Sequence, residues 1–140
     1  MTSSSNTTSF ATLTQSYPAV NIASGTAANT VTQVTTGSTN ASVITDLIFR
    51  NLGSSAVNFD VYVGSTSTAQ NKIVQVQVAG NAGNNGTTSA GSLAALAPQL
   101  FDLDLAGNRV MTLESGVAIS VANTALTSAA VYVMAKQRNF

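Results

Sequence analysis

From Ser42 onward, apolar and polar residues alternate with a period of two in short runs separated by turn residues. Val43 to Arg50 carries apolar residues on both parities (Val43, Leu47, Phe49 and Ile44, Ile48), the pattern of a strand covered on both sides. Ala56 to Val63 alternates cleanly, with Val57, Phe59, Val61 and Val63 on one face and Asn58, Asp60 and Tyr62 on the other. With the turn Asn51-Leu52-Gly53-Ser54-Ser55 between them, these two runs are expected to form a hairpin. Lys72 to Val78 is a third strand, with Val74, Val76 and Val78 facing one way. Leu100 to Leu105 is expected to bury Phe101, Leu103 and Leu105 and to expose Asp102 and Asp104. Val110 to Leu113, Val117 to Val121 and Ala129 to Ala135 supply three more strands.

The connections carry turn chemistry. Gly64 to Asn71 is a loop, and Gly80 to Gly91, rich in Gly and Asn, is expected to be exposed and flexible. Ser92 to Gln99 reads either as a turn of helix that Pro98 disrupts or as an irregular approach to the next strand. Many short strands with closely spaced turns, and no heptad, repeat or long amphipathic helix, predict an all-β fold: an antiparallel β-sandwich, jelly-roll-like.

Residues 1–41 differ from the rest. Apolar residues are sparse there (Phe10, Leu13, Tyr17, Val20, Ile22, Val31, Val34) among Thr, Ser, Asn and Ala. Val20-Asn21-Ile22 and Val31-Thr32-Gln33 hint at extended structure, and Tyr17-Pro18 marks a bend or an extended dipeptide. A segment so poor in apolar surface cannot make its own core. It is expected to be an extended N-terminal arm that adds a strand to another surface, with 42–140 as the sandwich core.

Composition changes the picture in one respect. Only 7% of the 140 residues are charged, five basic and five acidic, while Ser, Thr and Asn together supply 49. An ordinary globular protein carries about 25% charged residues. Neutral polar surface costs less to bury than charged surface, so this composition suits a chain packed among copies or partners. Zero net charge argues against a polyanion partner, so nucleic acid is not expected. No run approaches the roughly 20 apolar residues of a membrane span, and Met1 to Ser9 lacks the basic start of a secretory leader.

Candidate chemistry is thin. With no His and no Cys, the usual Ser-His-Asp and Cys-His nucleophile arrangements and thiolate metal sites cannot be built. Asp102 and Asp104, two residues apart, are the best placed pair for a hard cation, but a further bidentate acid is wanting and a solvated strand face is the plainer reading. Gly80 to Gly91 lacks the Lys of a phosphate loop. Lys136-Gln137-Arg138 is the one basic cluster, and pairing with an acidic neighbour is its plain role. Tyr17, Tyr62 and Tyr132 could stack on a sugar but fit sheet margins or subunit contacts better. No catalytic residue, metal ligand, cofactor or small-molecule substrate is expected.

Several motifs resemble a known group. Ile44-Thr45-Asp46-Leu47-Ile48-Phe49-Arg50-Asn51, the turn through Ser54-Ser55-Ala56, and Val57-Asn58-Phe59-Asp60-Val61-Tyr62-Val63-Gly64 resemble the strand, N-x-x-x-S-A turn, strand opening of small β-sandwich virion proteins of tailed bacteriophages. Phe101 to Leu105, Leu113-Glu114-Ser115-Gly116-Val117-Ala118-Ile119-Ser120-Val121 and Ser128 to Val133 are similar to their later strands. The likeness covers residues 42–136 and is most like a head decoration (cement) protein. It implies a non-enzymatic protein on the outer surface of the capsid, bound to the major capsid protein and to copies of itself as a homotrimer. The arm would clamp neighbouring capsomers, with Phe10, Leu13, Tyr17, Val20 and Ile22 as partner-binding anchors. A tail, baseplate or fibre component is the alternative within that group. A carbohydrate-binding adhesin module is the alternative outside it.

Overall fold

The structure is a computed structural model that describes residues 14–64 and 71–140. Among these residues, eleven strands run β1 (Thr14–Ser16), β2 (Ala19–Ile22), β3 (Val31–Thr36), β4 (Ser42–Asn51), β5 (Val57–Gly64), β6 (Lys72–Val78), β7 (Gly91–Ser92), β8 (Asp102–Leu103), β9 (Arg109–Leu113), β10 (Ala118–Asn123) and β11 (Val131–Asn139). One helical turn, α1 (Leu93–Leu96), and a 3-10 turn, Pro98–Leu100, precede β8. The first of the two readings of Ser92 to Gln99 holds: Pro98 starts the 3-10 turn where α1 stops.

The strands form two antiparallel sheets. The larger is ordered β1-β11-β4-β9-β8, with β2 also on β11 and β7 on β4; the smaller is β3-β10-β5-β6. Taking β2-β11-β4-β9 against β3-β10-β5-β6, the two strand orders are those of a jelly roll, and among these strands only β5 and β6 follow one another in the same sheet. This is the expected all-β sandwich, with corrections of detail.

The first concerns the hairpin. β4 lies in the larger sheet and β5 in the smaller, so they do not pair. The buried Asn51 side chain folds the corner between them. Its Nδ2 donates to the Ser55 and Ala79 carbonyls at 2.9 and 3.1 Å, and its Oδ1 accepts from Gly53 N at 2.9 Å. The hairpin that does form is β5–β6.

The second concerns the arm. β1 and β2 are one edge strand of β11 interrupted at Tyr17-Pro18, where the Pro18 carbonyl accepts from Ala135 N at 2.8 Å. β3 pairs with β10. Residues 14–36 therefore complete this chain's own sheets, and the boundary expected at 41/42 is not a structural one. Sparse apolar residues suffice because an edge strand needs only one buried face.

The core fills the space between the sheets. Phe49 of β4 and Phe59 of β5 meet across it with ring centroids 5.5 Å apart. Ile44, Leu47, Val61, Val78, Leu113, Ile119, Val121, Val131 and Val133 are fully buried around them. Gly91 passes close to this layer: a Cβ there would lie 3.2 Å from that of Phe49 and 3.4 Å from Val78.

The loop at 80–91 is more ordered than expected. Ala82 is buried in the core, its carbonyl accepts from Asn51 N, and Asn85 Oδ1 accepts from Thr87 and Thr88 N. At the other turn, Phe101 is buried as expected, but Leu103 and Leu105 are 65% and 111% exposed. The strand stops at Leu103 because the Asp104 carboxylate folds the next residues into a turn, accepting from Ala106 N and Asn108 N at 2.9 and 2.8 Å.

Candidate functional site: a cationic depression on the larger sheet

Alternation along β11 turns Ala135 and Gln137 inward and leaves Lys136 and Arg138 exposed. The inward Gln137 is held between the sheets. Its Nε2 donates to the Thr36 carbonyl, to Ser42 Oγ at 3.0 Å and to Asn139 Oδ1, and its Oε1 accepts from Thr35 Oγ1 of β3. This buried network fixes the strand whose opposite face carries the two cations.

A bulge shapes the neighbouring strand. Lys136 pairs with Asp46 and Gln137 with Ile44, so Thr45 is the extra residue on β4. Asp46 anchors α1: its Oδ1 accepts from Leu47 N and Ala94 N at 2.8 and 3.0 Å, and its Oδ2 accepts from Ser92 Oγ. A carboxylate so occupied by neutral donors makes no ion pair with Lys136. Among the described residues, Lys72–Asp60 at 3.0 Å is the one ion pair.

Gln15 lies opposite Arg138 in the β1–β11 register. With Tyr17, Thr45, Asp46, Asn108, Arg109, Lys136 and Arg138 it lines an open depression of about 500 Å³. Three of the five basic side chains thus gather at one place on a nearly uncharged surface. Arg109 is steadied by donating from Nη1 to the Pro98 carbonyl at 3.3 Å. Arg138 also acts on the neighbouring turn. Asp104 is held below the usual carboxylate range first by the Asn108 backbone N–H, then by Asn108 Nδ2 and Ala106 N, with the Arg138 charge adding to them. The depression is open to solvent, and its guanidinium and ammonium groups can hold an anionic group.

The sequence-derived candidates scatter. Phe10 and Leu13 lie outside the described residues. Tyr17 is 56% exposed at the rim of the depression. Val20 and Ile22 turn inward opposite Val133 and Val131, and Ile22, only 2% exposed, belongs to the core. Their role as anchors for a partner is therefore corrected: their pocket is in their own chain. The tyrosines form no platform, since Tyr132 stacks under Arg50 at 5.6 Å and Tyr62 lies on β5 of the other sheet. Asp104 spends both its oxygens on its own turn, with Asn108 Nδ2 on the second at 3.3 Å. Sequence reasoning found Lys136 and Arg138 but missed Arg109 and Asp46, which only strand pairing brings beside them.

Fold and site together define an antiparallel jelly-roll sandwich with an open, cationic surface. No known protein family, curated protein or solved structure matches the chain. The resemblance to phage virion proteins rests on the strand and turn motifs alone.

Proposed function

We propose that this chain is a non-enzymatic structural protein of a bacteriophage head, a decoration protein that binds the major capsid protein and stabilises the shell. The observation that carries this reading is the open depression with three cations outside any ion pair, set in a surface otherwise short of charge. A shallow cationic patch rimmed by an exposed tyrosine is a docking surface rather than an enclosed reaction site. Jelly rolls recur in capsid shells, which adds support at the level of fold.

The contact is made by the body of the sandwich: Arg109, Lys136 and Arg138 meet an acidic segment of the capsid protein, and Tyr17 packs beside it. The exposed Leu103 and Leu105, at the hairpin that also carries Arg109, extend the same contact with apolar surface. Repetition over a shell turns weak individual contacts into large avidity.

The test is reconstitution. Labelled protein is mixed with heads that lack it, and co-sedimentation is followed as salt is raised. Binding that weakens with salt and is lost in the Arg109→Glu/Arg138→Glu variant is expected. Particles that carry the chain only at the tail, or none at all, overturn the assignment. Retention on a glycan array instead of heads favours an adhesin.

A further inference from the structure

We propose that β6 is a self-association edge, which pairs antiparallel with β6 of a second copy to join two smaller sheets into one. This surface is separate from the cationic depression, and the inference stands without the virion reading. Among the described residues, β5 is the only strand that pairs with β6, and no described strand lies along its other side.

Such an edge normally carries a guard: a charge, a proline, a bulge or a very short length. Other edges have one: β8 is two residues long, the β1–β2 edge is broken at Pro18, and β3 carries a bulge at Val34, between the partners of Ile119 and Ser120. β6 is seven residues, and beyond the bulge at Ile73 its stretch Val74–Val78 runs in regular register with no charge and no proline. Its single charge, Lys72, is drawn onto the sheet face by the 3.0 Å ion pair with Asp60.

The occupant is specified by the sequence of the edge. Val74-Gln75-Val76-Gln77-Val78 is a palindrome. With Val76 on a two-fold axis, Val74 meets Val78 and Gln75 meets Gln77. Directly opposed residues in an antiparallel pair share a face, so every valine stays with the core side and every glutamine with the exposed side. Gln75 and Gln77 are exposed, Val76 and Val78 buried, as that register requires. Two copies then share a continuous eight-stranded sheet closed by two-fold symmetry. This makes a pair the unit of assembly, where the resemblance implies a trimer.

Light scattering of the full chain after size exclusion tests the proposal. The wild type is expected at twice 14.2 kDa. Gln75→Lys/Gln77→Lys sets lysine against lysine at both off-axis positions and is expected to weaken the pair by about tenfold or more, with far-UV circular dichroism unchanged. An equimolar mixture of Gln75→Cys and Gln77→Cys chains is expected to form a disulfide-linked dimer under mild oxidation, which neither chain forms alone. A monomeric or trimeric wild type overturns the inference, as does a dimer that persists in the double-lysine variant. Should that variant misfold, cross-linking decides: no preference for the mixed pair overturns it.

Discussion

Thr35 of β3 and Gln137 of β11 belong to opposite sheets and share a buried hydrogen bond, Oγ1 to Oε1, inside the sandwich. Around them Ser42 and Asn139 complete a small polar layer, which Ser16 Oγ joins by accepting from Asn139 Nδ2. In a chain where Ser, Thr and Asn largely replace charge, part of the core is polar and satisfied.

Gln137→Ala removes the centre of that layer and strands the hydroxyls and carbonyl around it. We expect a loss of about 2–4 kcal/mol in urea unfolding. Thr35→Val, which leaves one acceptor short, costs about 1–2 kcal/mol. The double variant loses less than the sum, because the two share one interaction.

Ile22→Ala separates a core role from a binding role. A fully packed isoleucine costs about 2–4 kcal/mol on truncation, read as a lower thermal midpoint, with affinity for any partner unchanged at temperatures where the variant is folded. Deletion of residues 1–24 goes further: it strips β1 and β2 from β11 and is expected to give an unfolded or aggregated product in place of a free-standing core.

How much of this was legible in the sequence depended on what alternation encodes. It says which face a residue takes, so the inward valines of β5, β6 and β11 were readable. It does not say which strand lies alongside, so β4 and β5 were read as a hairpin although Asn51 sends them to different sheets. Leu103 ends β8 and Leu105 keeps the alternation beyond it, because the Asp104 turn is a side-chain effect that hydropathy does not register. At the site, Lys136 and Arg138 were visible as neighbours on one strand. Arg109, Asp46 and the bulge at Thr45 enter only through pairing across β11, β4 and β9.

Asp60 sets an acid dependence. Burial pushes its carboxyl up, but hydrogen bonds from Gln75 and Lys72 and the Lys72 charge together outweigh it and hold the pKa below the ordinary range. A depressed folded-state pKa means stability that is present above the unfolded value, about 3.9, and is lost as pH falls through the lower folded one. Urea midpoints should therefore fall below about pH 4, and Asp60→Asn should flatten part of that fall. The pair is partly exposed, so the effect is small and shrinks further in high salt.

Gly80 is fixed by contact with backbone. A Cβ there would lie 2.1 Å from the Ser54 carbonyl oxygen, where the turns after β4 and β6 cross and Asn81 N donates to the Gly53 carbonyl at 2.6 Å. Gly80→Ala must push the two turns apart. A loss of about 1–3 kcal/mol is expected in thermal unfolding, with the amides of Asn51 and Asn81 exchanging faster.

β11 lies between the chain's first two described strands and β4, joining Thr14 to Asn139 in register. During synthesis, the larger sheet lacks its middle until β11 has left the exit tunnel. Folding of the sandwich must then wait for β11, and contacts so distant along the chain place it among the slow millisecond-to-second folders. Until then, the early strands present bare edges that a chaperone, or a sister chain on the same messenger, can reach first.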